Sequence, residues 1–129
     1  MIDEKTLRYA ESHEWVKLDG DIATVGISKY AVEQLTDLIL IELPAVGKRV
    51  EAGKGFGEVE SVKAVSDLYA PVSGEITAVN GDVSADVQLL AQDPYTRGWL
   101  IKIKVANPSE VGKLMDYEAY QKKIAESMH

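Results

Sequence analysis

The sequence predicts a mainly β fold, a flattened β sandwich or barrel carrying short helices and a C-terminal helix. Three observations point there. Short apolar runs recur between turn signals every eight to twelve residues or about that, the rhythm of a sandwich or barrel. Trp99, Ile101, Ile103 and Val105 alternate with Lys102 and Lys104, as in a half-buried strand. Tyr117, Tyr120, Ile124 and Met128 then fall at helical spacing behind Asp116, a residue type that caps helices.

The elements follow in order. From Glu14 to Leu18 the residues alternate, with Glu14, Val16 and Leu18 on one face and Trp15 and Lys17 on the other. Asp19-Gly20-Asp21 reads as a turn and residues 22–27 as the returning strand. Ser28 caps a short helix over residues 29–35, whose Ala31, Val32 and Leu35 share a face. Residues 38–43 (LILIEL) form an apolar strand that Pro44 and Gly47 end. Gly53, Gly55 and Gly57 mark a bend or bulge where backbones approach closely. A turn at 71–74, a strand at 75–79 and a tight turn at Asn80-Gly81 come next. Asp93-Pro94-Tyr95 opens a loop into the strand at 99–105, and Pro108 starts the helical C-terminal segment. No linker divides the chain, so residues 1–129 read as one domain, with a β core over about 7–105 and a helical segment over about 108–127. Val50, Ala52, Gly53 and Phe56 recur in kind as Val83, Ala85, Asp86 and Leu89, which suits two similar β halves about a pseudo-twofold axis.

Composition narrows the function. The chain has 129 residues, 46% hydrophobic and 27% charged, which is globular and not disordered usage. A chain of this size buries roughly two-thirds of its unfolded surface, enough for one core. With 14 Lys and Arg against 21 Asp and Glu, the net charge of −7 speaks against nucleic acid and anionic membranes as partners. No apolar run approaches the ~18 residues of a membrane span. The first residues carry neither a signal nor a transit pattern, so the expected location is cytoplasmic, although a processed organelle protein reads the same way. Cysteine is absent, which excludes disulfides, thiolate metal sites and cysteine nucleophiles. His13 and His129 are the only histidines, so no histidine-rich metal site is expected. A carrier or binder fits this inventory better than an enzyme.

Residues 56–70, FGEVESVKAVSDLYA, break the pattern. Phe56, Val59, Val62, Val65 and Leu68 recur every third residue, which alone fits one face of a helix. The valines, the serines at 61 and 66 and the upstream glycines favour the other reading, a hairpin turning at Val62-Lys63-Ala64 with a slip of phase at its centre. That turn pushes Lys63 outward among Glu58, Glu60 and Asp67. Two readings of the lysine stand: a solvated surface charge balanced by acids, or an accessible amine for acylation between the small residues Ser61, Ala64 and Ser66.

The segment ESVKAVSDLYAPVSGEI at 60–76 closely resembles the lipoyl-attachment region of the glycine cleavage H-protein family. SHEW at 12–15, VGIS at 25–28, FGEVES at 56–61 and DPY with GWLIKIK over 93–104 resemble the same family, in matching order and over roughly residues 7–126. The resemblance implies a lipoyl-domain-like fold and lipoate in amide linkage on Lys63. Val62 and Ala64 flank that lysine where biotin carriers place methionines, which favours lipoate over biotin. It implies a non-catalytic carrier of aminomethyl groups with four partners. These are a pyridoxal-phosphate glycine decarboxylase, a tetrahydrofolate-dependent aminomethyltransferase, a flavin-dependent dihydrolipoyl dehydrogenase and a lipoate-attaching enzyme. It also implies that Ser12, Glu14 and Asp67 line a cleft that shelters the cargo's ammonium from water. Read without it, Ser12 is a strand-edge hydroxyl, Glu14 an exposed strand residue and Asp67 a turn acid.

His13 beside Glu14 admits a catalytic reading, yet no nucleophile stands near it, and a structural or exposed histidine is the plainer one. Trp15 and Trp99 read as core or sheet-face aromatics. The chain departs from the family pattern at Thr36 and Thr96, where glycine is common, and at Val87 and Ala91, which replace a proline and an asparagine. Other readings of function are a lipoyl donor or carrier for another lipoate-dependent complex, and an unmodified β-sandwich binding module.

Overall fold

Period-two strands need a second apolar face to bury their own, and here two sheets supply it to each other. The computed structural model describes residues 3–127. A 3₁₀ turn at Glu4–Thr6 leads into β1 (Arg8–Tyr9), β2 (Glu14–Asp19) and β3 (Ile22–Ile27), then α1 (Lys29–Leu35) and β4 (Leu38–Glu42). Next come β5 (Arg49–Val50), β6 (Gly55–Ser61), β7 (Val65–Tyr69) and β8 (Gly74–Val79). The short helices α2 (Gly81–Ala85) and α3 (Leu89–Gln92) precede β9 (Ile101–Val105), and α4 (Ser109–Gly112) and α5 (Tyr117–Ser127) close the chain.

One sheet has six strands in the order β1-β2-β3-β9-β8-β5, the other three in the order β4-β6-β7. Val16, Val25, Ile76 and Ile103 from the first share one buried cluster with Ile41, Val59 and Leu68 from the second. The arrangement is a sandwich and not a closed barrel. Burying each such side chain contributes roughly 1.5–3 kcal/mol. A second cluster lies on the far side of the six-stranded sheet, where Leu7, Tyr9 and Trp15 meet Tyr120 and Ile124 of α5. Trp15 fits there because Gly26, its register partner on β3, leaves room for the indole. Its Nε1 donates to the Pro94 carbonyl at 3.1 Å. Tyr9 and Tyr120 stack in parallel, with ring centroids 4.3 Å apart.

Several sequence-based expectations shift. Glu14, Trp15 and Val16 are all buried, because α5 covers the face of β2 that simple alternation leaves to solvent. Asn80 caps the N-terminus of α2 through its side chain in place of forming a tight hairpin turn. The strand expected from Trp99 begins at Ile101. Val50 lies on β5 whereas Val83 lies in α2, so the proposed repeat does not map onto equivalent elements. The hairpin over 55–69 does form, but the phase slips first at a bulge between Gly55 and Gly57, upstream of the turn. Helix α1 spans the expected residues, capped by Ser28, and the Asp116 carboxylate accepts from the Ala119 N–H. Met128 and His129 lie outside the described residues. No described helix is long and apolar enough to cross a membrane.

Thr36 ends α1 at φ 60° and ψ −127°, a region that disfavours side chains with a Cβ. Thr36→Gly removes strain of about 1–3 kcal/mol and adds about 0.5–1 kcal/mol of unfolded-state entropy. We expect a net gain of about 1 kcal/mol, read as a higher urea midpoint at unchanged slope.

Candidate functional site

The turn between β6 and β7 is closed from within. Ser61 N–H donates to the Ala64 carbonyl at 2.8 Å, and Ala64 N–H donates to Ser61 Oγ at 3.2 Å. Val62 N–H donates to the Asp37 carbonyl at 2.9 Å, which ties the tip to the start of β4. Lys63 stands exposed at the apex of this braced bend. Among the described residues the one ion pair joins Lys17 to Asp19, so no carboxylate clasps the Lys63 amine.

A cavity of about 460 Å³ opens beside the tip. Ala64, Ser66 and Asp67 of the hairpin form one wall, Ser12 and Glu14 another, and Tyr30 and Gln34 of α1 a third. Ser12, Glu14 and Asp67 thus share one cavity, and Lys63 is the residue next to its rim. The three differ in setting: Ser12 and Asp67 are exposed, while Glu14 is only 1% exposed. The path from Ser12 to Glu14 turns back on itself because His13 adopts a left-handed φ of 79°. This reversal lets Ser12 Oγ donate to Glu14 Oε1 in a very close contact. Tyr69 N–H donates to Glu14 Oε2 at 3.1 Å. Burial pushes the Glu14 carboxyl up to about 7, and these two donors only partly offset it.

His13 also lines the cavity, and its role is structural in the sense of what it touches. Its Nδ1 lies 2.8 Å from the Tyr120 hydroxyl, which is 2.5 Å from Ser28 Oγ. Burial, and the positive charge of Lys123, hold its pKa below the ordinary imidazole range. The C-terminal helix therefore braces the turn that aims Ser12 at Glu14. Tyr30 and Gln34 escaped notice in the sequence. Their i, i+4 spacing on the predicted helix was the available signal, but nothing local says which face of that helix meets the cleft. Trp15 is a buried core residue, and Trp99 is partly buried beneath Lys102, whose Nζ lies 5.1 Å from the ring centroid. No group of three metal-ligating side chains converges among the described residues.

A sandwich that holds a free amine on a braced hairpin tip, next to a sheltered carboxylate, has the form of a swinging-arm carrier. The comparisons with known proteins specify which. Residues 7–127 match the family described as glycine cleavage H-protein. A glycine cleavage system H protein from Carboxydothermus hydrogenoformans is 48% identical over 122 residues, covering 95% of this chain and 94% of its own. One from Synechococcus sp. (strain JA-2-3B'a(2-13)) is 52% identical over 114 residues, covering 88% of each. The crystal structure of a glycine cleavage system H protein from Mycobacterium marinum matches with a TM-score of 0.87 at 40% identity, covering 96% of this chain and 99% of that one. The chain belongs to the glycine cleavage H-protein family. Its members are lipoyl carriers of the glycine cleavage system and not catalytic enzymes.

Glu14 sets a pH dependence of stability. A carboxyl whose pKa rises from 4.5 to about 7 on folding holds its proton in the native state. Stability is then full below about pH 4.5 and falls as pH rises to about 7, by on the order of 3 kcal/mol. Glu14→Gln should remove that decline and exceed the wild type in stability at pH 8, measured by urea unfolding across the pH range.

Proposed function

We propose that Lys63 carries lipoate in amide linkage and that this chain, acting as a single carrier unit, moves aminomethyl groups within the glycine cleavage system. The reading rests on one observation above all: the exposed Lys63 amine sits on a braced hairpin tip, directly beside the cavity that contains the buried Glu14. A primary amine is what amide formation needs, and a braced bend presents it to a second protein without unfolding. During attachment the Lys63 nitrogen forms a bond to the carbonyl carbon of a lipoyl group that a lipoate-attaching enzyme has activated. The acyl–oxygen bond breaks with its electron pair, and the nitrogen gives up protons to become a neutral amide.

Lipoate supplies a disulfide ring whose sulfur accepts the aminomethyl cargo. The remaining tasks fall to this chain's own residues. Burial raises the Glu14 pKa to about 7, so the positive charge of a cargo ammonium entering the cavity favours loss of the carboxyl proton to solvent, and the ammonium meets a carboxylate. Ser12 steadies that carboxylate by donating to it, and Asp67 adds negative charge from the exposed rim. The walls from α1 and the hairpin keep bulk water from the carbon between nitrogen and sulfur. The partners this reading implies are a pyridoxal-phosphate glycine decarboxylase, a tetrahydrofolate-dependent aminomethyltransferase and a flavin-dependent dihydrolipoyl dehydrogenase, each of which would meet the arm that Lys63 holds.

Intact-mass analysis after expression in a lipoate-competent host should show one lipoyl addition. Lys63→Arg should keep the stability of the wild type within about 0.5 kcal/mol and gain no mass, because a guanidinium does not form this amide. A Lys63 variant that still becomes modified would remove the assignment.

Glu14→Ala should still be lipoylated, yet release its cargo as ammonia at least about tenfold faster, the equivalent of one charge-assisted hydrogen bond. Decay at the wild-type rate would take Glu14 out of the sheltering role.

A further inference from the structure

The outer face of the three-stranded sheet is built unlike an ordinary solvated surface. Ile41 of β4 and Val59 of β6 are register partners and both are buried. Alternation therefore turns their neighbours outward. One outward row reads Leu40, Glu60, Val65 across the three strands, and the next reads Glu42, Glu58, Asp67. Leu40 and Val65 are 42% and 57% exposed. Ile39, at the register shift of β4, is 49% exposed and Val62, at the tip, 68%. Apolar side chains so placed leave about half or more of their surface in water. The second row sets three carboxylates directly opposite one another, an arrangement that works against sheet stability, and none of them is in an ion pair among the described residues.

The first row is the last paired row before the turn that carries Lys63, the second lies two residues further from the tip, and the reach of the lysine decides what covers them. A bare lysine extends on the order of 6 Å from its Cα. An active site that modifies it must press against the hairpin tip itself, and so against Val62, Val65 and Leu40. The finished lipoyl-lysine arm is more than twice as long, which frees later catalysts to dock elsewhere. We propose that this apolar and acidic face is the docking surface for the enzyme that attaches lipoate to Lys63, an enzyme whose active-site lip is apolar and flanked by basic side chains. The proposal rests on the lipoyl-lysine reading above. Leu40, Val62 and Val65 supply the apolar part of the contact around Glu60, and the carboxylate row steers and orients a cationic partner.

The test uses the purified full-length chain without lipoate, a purified lipoate ligase, lipoate and ATP, with attachment followed by intact mass. Two double variants are compared with the wild type: Leu40→Ser with Val65→Ser, and Glu42→Lys with Glu58→Lys. Each should lower kcat/KM for attachment by about tenfold or more, through KM, and added salt should slow the wild type but not the charge-reversed pair. Once lipoylated to completion, both should exchange the glycine carboxyl with bicarbonate at the wild-type rate in the presence of the decarboxylase. The charge-reversed pair alters only exposed side chains, so it keeps the test informative should the apolar pair fold poorly. Wild-type attachment rates in folded variants would overturn the docking face and leave the lysine reading intact. Normal attachment with slowed glycine exchange would hand the face to the decarboxylase and equally overturn the proposal. A wild-type chain that gains no mass, from a ligase active on another lipoyl protein, would overturn the lysine reading itself.

Discussion

The register of β6 between β4 and β7 is the constraint on which the rest of this molecule depends. Strand residues alternate faces, so a slip of one position would exchange every inward and outward side chain of the hairpin. Gly57 helps to set the register, because a Cβ at that position would overlap the Glu42 carbonyl oxygen. The bulge at Gly55 and Gly57 then places both Phe56 and Val59 inward, although three positions separate them. From there the chain reaches Ser61 with its hydroxyl turned inward and makes the closed bend that leaves Lys63 in water. The tip, the cleft wall and the outer face are three outcomes of one pairing.

The second organising feature is a carboxyl group held where its charge is poorly solvated. Among the described residues no cation pairs with Glu14; it is surrounded by two hydrogen-bond donors and a cavity. Such a site costs stability when the group is ionised and recovers it when a cation arrives. The supports are spread widely through the chain. They comprise a left-handed His13, a tyrosine from the C-terminal helix and the backbone of β7. The covering helix thereby reaches the chemistry without contributing a group to it.

Much of this was legible along the chain. The strands at 22–27 and 75–79, the helix at 29–35 with its serine cap and the C-terminal helix follow from local periodicity and capping. The hairpin at 56–70 was legible only as a choice, because its apolar spacing of three imitates a helix. The imitation arises from the glycine bulge, which shifts the phase of a strand in a way that residue type alone does not announce. Asn80-Gly81 misled for a related reason. Asn suits both a tight turn and a helix cap, and here it caps a helix whose Val83 packs into the core.

Local sequence determined which of the other segments extend and which coil, and narrowed residues 56–70 to a helix or a hairpin with Lys63 at its bend, since these follow from side-chain shape and backbone freedom within a few residues. Tertiary structure alone decided that Glu14 is enclosed, that Tyr30 and Gln34 face Ser66 and Asp67, and that α5 stands behind His13. Burial and proton affinity depend on what other segments bring to the same point in space. For Glu14 those segments include Tyr69, fifty-five positions further along the chain.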